Sequence, residues 1–245
     1  HYGTRRQRQM CIRDRAHIMR GQNVWESIGG MEVGSIWGHG SYVAPDWNAD
    51  WIHREAEFLL ERWAKPLGKP YKELSEEKKG MLKGRLVSQI KTNTYDTISK
   101  TISISQDRKE AIVANMQHYS SIFSKGHEEY AIPKEMLTDA SKLHDLNAFF
   151  FWTSWAASTN RMEDVITYTS NWPYEPLINN TVSDDSLIWS GFSVILLLLC
   201  ISLMVWYHIK SQHANEEQVE VPSINPLSSI AVSYTHLTLP TSAIV

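Results

Sequence analysis

Residues able to do chemistry crowd into one stretch, Gly29 to Glu55, which reads GGMEVGSIWGHGSYVAPDWNADWIHRE. His39 and His53 are its candidate ligands or proton carriers. Neither has a second ligand at metal spacing, so both read as hydrogen-bonded structural histidines. Glu55 and Glu57 read as one solvated helix face. Ser, His and Asp residues occur without a nucleophile motif around them, and there is no phosphate-binding glycine loop. What remains is five glycines and three tryptophans. Glycine allows backbone shapes closed to other residues, and tryptophan brings a large apolar surface with one N–H that needs a partner. The composition describes a loop-rich segment packed around something bulky, with aromatic core packing as the default reading.

Cysteine narrows the chemistry further. The chain has two, Cys11 and Cys200. Neither belongs to a C-x-x-C-H haem attachment, and no thiolate zinc site or iron–sulfur ligand set can be assembled.

Both ends carry an unusual signature. Arg5 to Arg15 reads RRQRQMCIRDR and Val232 to Thr241 reads VSYTHLTLPT. One DNA string, read on opposite strands, encodes both, and it resembles a transposase-type sequencing-library adapter. Residues 1–15 and 232–245 are therefore set aside from fold reasoning. Without that step Arg5 to Arg15 would pass for a basic arm directed at nucleic acid. The tails hold five Arg and one Asp of the chain's 24 basic and 27 acidic residues, which leaves 19 basic, 26 acidic and a net charge of −7. An acidic domain of this kind is not a nucleic-acid binder.

The elements that must position these residues follow from periodicity and breakers. Arg20 to Ile28 predicts a short helix stopped by Gly29-Gly30. Met31 to Trp47 is loop-like, and Pro45 breaks any helix there. Asp46 or Asn48 caps a helix to about Ala64, with Trp51, Phe58, Leu59 and Trp63 near one face. Ser75 to Gln89 predicts a helix with Met81, Leu82 and Leu86 as its apolar stripe. Tyr95 to Ser105 alternates through Ile98, Ile102 and Ile104, as one or two short strands do. Asp107 to Phe123 predicts a helix with Ile112, Met116 and Tyr119 inward, and Leu137 to Ala157 predicts another. Gly126 to Pro133 and Thr159 to Asn180 read as irregular. Leu187 to Tyr207 is 21 residues without a charge. At about 1.5 Å per residue it crosses about 30 Å of hydrocarbon, with Trp189, Trp206 and Tyr207 as interfacial aromatics. Asp184 and Asp185 precede it as a candidate cap, Lys210 follows, and Asn215 to Pro226 reads as a polar connector.

Three motifs, in order, carry a resemblance. The Gly29–Glu55 block, FFFWTSWAASTNR (Phe149 to Arg161) and YTSNWPYEPLINN (Tyr168 to Asn180) closely resemble the extracytoplasmic region of quinol-dependent nitric oxide reductases, single-chain relatives of the haem–copper oxidases. The resemblance covers roughly His17 to Ala231. It implies a mainly α fold: a cytochrome c-like extracytoplasmic domain with a small β element at 16–186, one transmembrane helix at 187–209, and a cytoplasmic connector at 210–231. In two-subunit relatives a C-x-x-C-H motif shortly precedes a loop like Gly38 to Asp46. Here Ser27 to Met31 stands at that place, so the scaffold is expected to lack haem, with Trp25, Trp37 and Met31 filling the space. The same resemblance implies a calcium contact from the Gly40 carbonyl and Tyr42, completed by oxygens from elsewhere.

The resemblance implies an enzyme that reduces two NO to N2O with electrons from quinol, using b-type haems and a non-haem iron on later membrane helices. The chain is expected to be its N-terminal fragment, a cap and anchor with no catalytic residue of its own. Its partners are then the C-terminal membrane catalytic domain, the lipid bilayer and, in the whole enzyme, quinol. The bacterial cytoplasmic membrane is the implied location, with the large domain on the extracytoplasmic side. The alternative is a membrane-anchored extracytoplasmic binding or sensor module.

Overall fold

The computed structural model of the chain describes residues 15–218. The adapter-like tails, except Arg15, lie outside the described residues, and so does the connector beyond Gln218. The chain divides near Leu187 into a folded unit and a helical unit.

Five helices build the folded unit: α1 (Arg15–Ser27), α2 (Trp47–Ala64), α3 (Glu76–Lys91), α4 (Gln106–Lys125) and α5 (Ala140–Ser158). Two antiparallel hairpins interrupt them, β1 (Ser35–Ile36) with β2 (His39–Gly40) and β3 (Tyr95–Asp96) with β4 (Thr101–Ile102). α2 packs on α3, α4 and α5, and α1 lies along α5. The caps are local chemistry. Asp46, Ser105 and Asp139 each accept from backbone N–H groups two or three residues on, satisfying donors that a helix start leaves open.

α5 reads as apolar on every side, and it is buried on nearly every side from Asp145 to Ser158, as a helix enclosed by others must be. Its Phe150 stacks on Trp47 of α2, with centroids 5.5 Å apart and planes 9° off parallel. Trp51 stacks on Tyr119 of α4 at 5.3 Å and 7°. Trp25 of α1 meets both Trp47 and Phe150 edge-on. Trp47, Trp51, Tyr119, Phe123 and Phe150 are all fully buried. Each such ring pair contributes about 0.5–1.5 kcal/mol beyond the area it removes from water. A second cluster joins Ile52, Leu59, Leu60 and Trp63 of α2 to Leu82, Leu86 and Ile90 of α3.

Several expectations are corrected here. α1 starts at Arg15, five residues before the expected Arg20. Met81 is 60% exposed; the inward stripe of α3 runs Leu82, Leu86, Ile90, at spacings of four. Ile98 sits exposed at the turn between β3 and β4, because Asp96 accepts from the Ile98 and Ser99 backbone N–H groups and ends the alternation. Glu55 is not on a solvated face. It is buried, its Oε1 accepts from Arg108 Nε at 2.6 Å and its Oε2 from Trp51 Nε1 at 3.2 Å. Glu57, by contrast, is exposed as expected.

Described by itself, the helical unit is one element, α6 (Asp184–Gln218). Its Asp184–His213 portion is long and apolar enough to cross a membrane. Ser193 and Ser202 donate to the carbonyls of Ser190 and Leu198, which keeps their hydroxyls satisfied without water. Lys210 Nζ lies 5.1 Å from the Trp206 ring centroid, a cation–π contact at the end of the apolar run. The helix continues to Gln218, past the residue where the connector was expected to begin. Ser183, rather than Asp184 or Asp185, caps it: its Oγ accepts from the Ser186 N–H and its carbonyl from Leu187 N–H.

Removing one partner of a buried ion pair leaves an uncompensated charge inside. Arg108→Met should therefore destabilise the folded unit by about 3–5 kcal/mol. Arg108→Met with Glu55→Leu should recover most of that loss, as read by near-ultraviolet circular dichroism on heating.

Candidate functional site

The glycine block folds into a hairpin braced on the start of α2. Trp37 and Gly38 occupy the two turn positions between β1 and β2 with φ of 53° and 77°, the left-handed pair that matches the twist of a two-residue hairpin. Trp37 adopts this conformation without being glycine, at a cost of order 1–3 kcal/mol. Two contacts hold it there. Its backbone N–H donates to Asn48 Oδ1 at 2.7 Å, and its indole Nε1 donates to the Thr153 carbonyl at 2.9 Å. Gly34 and Gly40 stand where no side chain fits. At Gly34, φ is +131° and a Cβ would meet Trp47 Nε1 at 2.5 Å; at Gly40, φ is +140° and a Cβ would meet the Gly34 carbonyl at 2.3 Å.

Asp46 ties the hairpin to the helix. Its Oδ2 accepts from Ser35 Oγ at 2.8 Å and from Gly38 N–H at 2.7 Å, while Oδ1 accepts from Ala49 N–H at 3.0 Å. A carboxylate holding three donors is both cap and clamp. The tip beyond the clamp is left open to solvent. His39 and Gly40 are exposed, Tyr42 is 93% exposed and Val43 is 52% exposed.

A second irregular segment stands beside it. The Trp172 indole lies against Gly38, within 3.0–3.2 Å of where a Cβ would be, and Trp172 and Tyr174 are themselves largely exposed. Buried Asn180 holds this segment down, donating through Nδ2 to the Ala157 and Pro173 carbonyls at 3.2 and 2.6 Å. Tyr42 and Val43 at the tip, and Trp172 and Tyr174 on the segment that meets Gly38, each leave aromatic or apolar surface in water.

The expected site residues are placed as follows. Gly40 and Tyr42 flank Ser41 at the open tip. Asp46 of the same loop has both oxygens engaged by Ser35, Gly38 and Ala49, so it does not serve as the carboxylate of an oxygen cage for calcium. His39 sits exposed in β2. His53 lies on α2, its Nδ1 2.8 Å from Glu175 Oε2 and its Nε2 3.6 Å from Glu57 Oε1. With Leu60, Tyr71 and Leu177 these groups line a cleft of about 320 Å³. Both ring nitrogens of His53 thus face carboxylates, and among the described residues no hydrogen bond joins them to a hydroxyl or thiol. In the sequence, Trp172 and Tyr174 show only as part of an irregular Trp- and Pro-rich run with Pro173 and Pro176 as breakers.

The residues present do not fit a thioether-linked haem. Ser27 to Met31 supplies neither Cys nor His, and the interior between α1, α2, α4 and α5 is filled by the aromatic stack. Of the expected fillers, Trp25 is in the stack, Trp37 is at its edge and Met31 is outside it. Trp25 is buried, Trp37 is half-buried against Trp152, and Met31 is 57% exposed, because Trp47, Trp51 and Phe150 occupy the centre.

A broader cleft of about 640 Å³ is lined by Lys91, Asn93, Asn160, Arg161, Glu163 and Asp164, among others. Lys91 ends α3 and donates to Asn180 Oδ1. Burial lowers its pKa from the ordinary 10.5 to about 8. Asp107 is an acid held below the usual carboxylate range, by the Trp63 indole N–H and by Arg62 and Arg85.

Against known families, residues 4–174 match the NorB cytochrome c-like domain of nitric oxide reductase. The matched stretch takes in the hairpin, the aromatic stack and the Trp172–Tyr174 wall, and it begins within residues 1–15. No curated protein gives a match.

Two outcomes follow from this geometry. Asp46→Ala removes a cap and two further hydrogen bonds to a charged acceptor, and should cost about 2–4 kcal/mol, with the tryptophan emission shifting red as the hairpin loosens. Lys91 binds fewer protons folded than unfolded between pH 8 and 10.5. Stability should therefore rise with pH across that window in the native chain relative to Lys91→Met, and run parallel to it below.

Proposed function

The chain belongs to the NorB cytochrome c-like family of nitric oxide reductase domains, and from that premise we propose that it is the extracytoplasmic cap and membrane anchor of a quinol-dependent nitric oxide reductase. The observation that carries this reading is the braced hairpin with its exposed face. Tyr42, Val43, Trp172 and Tyr174 project from backbone that Asp46, Asn48 and Asn180 hold fixed. Exposed aromatics on rigid supports are suited to bury against a partner with little ordering cost.

The partner in this reading is the C-terminal membrane catalytic domain of the same protein. That domain would carry the b-type haems and the non-haem iron and take electrons from quinol to reduce two NO to N2O and water. Bond formation between two radicals needs adjacent metals and a dry pocket with metered protons and electrons. This chain supplies the cover. Any calcium contact of Gly40 and Tyr42 falls on the same face, with its other oxygens drawn from outside the domain. Asp184 and Asp185 before the apolar run and Lys210 after it favour a folded unit on the extracytoplasmic side.

Purified in detergent, the chain should show no Soret band and consume no NO; a stoichiometric Soret band that survives washing overturns the proposal. Co-expressed with the membrane catalytic domain of such a reductase, it should co-purify. Tyr42→Ser with Trp172→Ser should weaken that association about tenfold or more while leaving the circular dichroism unchanged. Equal association of the double variant would move the contact to another face.

A further inference from the structure

A cluster where α1 lies against α5 has no part in the reading above. His17 of α1 and His144 and Asp145 of α5 each turn one ligand atom to a common point, all within 4.8 Å of one another. We propose that these three residues bind a divalent d-block cation of the zinc type, fastening α1 to α5.

The two helices are set for it. Gly21 follows His17 by one turn, and a Cβ there would lie 2.0 Å from the Asp145 carbonyl and 2.7 Å from Phe149 Cβ. No other residue lets α1 come this close, and the close approach is what brings an imidazole from one helix to a carboxylate on the other. Ligands on packed helices are held more tightly than ligands on loops.

Asp145 is 4% exposed. Arg20 Nε donates to its Oδ2 at 2.8 Å, which leaves Oδ1 directed at the imidazoles. His17 Nδ1 is in contact with that Oδ1, and His144 Nδ1 is 3.9 Å from it. The two imidazole rings meet edge-on at 5.2 Å. Ligand atoms sharing one zinc lie about 3.3–3.5 Å apart when each bond is about 2.0–2.2 Å, so shifts of well under a side-chain rotamer complete the set.

Arg20 and Asp145 both meet His17 at Nδ1. Arg20 Nη2 lies 2.7 Å from His17 Nδ1, and a guanidinium can only donate, so Nδ1 presents its lone pair. The same Nδ1 also touches the ionised Asp145 Oδ1, which has only lone pairs to offer. A proton on Nδ1 satisfies the carboxylate and opposes the arginine. A metal between Nδ1 and Oδ1 satisfies both ligand atoms, while Arg20 keeps its Nε bond to Oδ2 as the group that orients the carboxylate. Arg20 is about half exposed, as are the outer faces of both histidines. A metal at Nδ1 takes the lone pair that now meets Arg20 Nη2, so that contact gives way on binding, and water fills the open coordination position. Two imidazoles and one carboxylate suit zinc, nickel or copper better than calcium or magnesium, which separates this place from the Gly40–Tyr42 tip.

The test is titration of the full chain in detergent with Co2+, followed by its visible ligand-field bands. One Co2+ per chain should bind, Zn2+ should displace it, and the melting temperature should rise with either. His144→Gln and His17→Gln should each weaken binding by roughly 100-fold, while His39→Gln and His53→Gln should leave it unchanged. Metal-free melting of His144→Gln, whose side chain is largely exposed, should match the native chain and so separate ligand loss from misfolding. Absence of saturable binding, or native affinity in His144→Gln, overturns the proposal and leaves the cluster a hydrogen-bonded tie. Neither result bears on the cap reading, which rests on the hairpin face.

Discussion

The start of α2 must sit against α5, and most of the molecule follows from that. Trp47 and Trp51 enter the helix one turn apart and find aromatic partners on two different helices, Phe150 on α5 and Tyr119 on α4. Stacked rings accept little lateral slip, since offset or edge contact is favoured over arbitrary overlap. Once those pairs form, the residues just before the helix have little choice. Asp46 closes the helix start and the hairpin together, and Asn48 holds Trp37 in a backbone region that an unbraced tryptophan leaves. The exposed tip is thus stiff because the core beneath it is.

The same stack fills the interior of a domain that matches a cytochrome c-like family. A cofactor is a large apolar body, and a fold that omits it must supply equal volume or collapse, because interiors keep crystal-like density. Here the volume comes from six large rings on α1, α2, α4 and α5. They leave little mobile aliphatic space between the helices. Polar groups inside are matched in kind: Asn115 Nδ2 donates to the Trp51 carbonyl at 3.0 Å, and Glu55 is neutralised by Arg108.

Helix existence was legible where a capping residue and apolar spacing agree, as at Asp46; the start of α4 was read from spacing alone, and α5 opens at Asp139, after the expected Leu137. Inward faces were legible only where the repeat was long. In α3 the stripe needed Ile90 to fix its phase, and without it Met81 looked inward. Glu55 shows the opposite difficulty. It lies four residues after Trp51 and four before Leu59, so periodicity places it on the buried stripe, but its charge argued for solvent. Its partner Arg108 is 53 residues away, and no local pattern links them. The hairpin glycines marked a special backbone, yet their reason, contact with Trp47 and between Gly34 and Gly40, is tertiary. His17 and Asp145 carried no signal, since a ligand set drawn from two distant helices has no spacing to read.

The exposed tip and the segment beside it carry a cost of their own. Tyr42, Val43, Trp172 and Tyr174 leave apolar area in water at roughly 25 cal/mol for each Å², next to a turn that is already strained. A soluble domain could place polar residues there without disturbing the clamp, because the clamp uses backbone groups of Gly38 and the side chains of Ser35, Asp46 and Asn48, none of which lies on the face. Rigid support and apolar exposure at the same place are separate costs with one common use, burial against a surface of fixed shape.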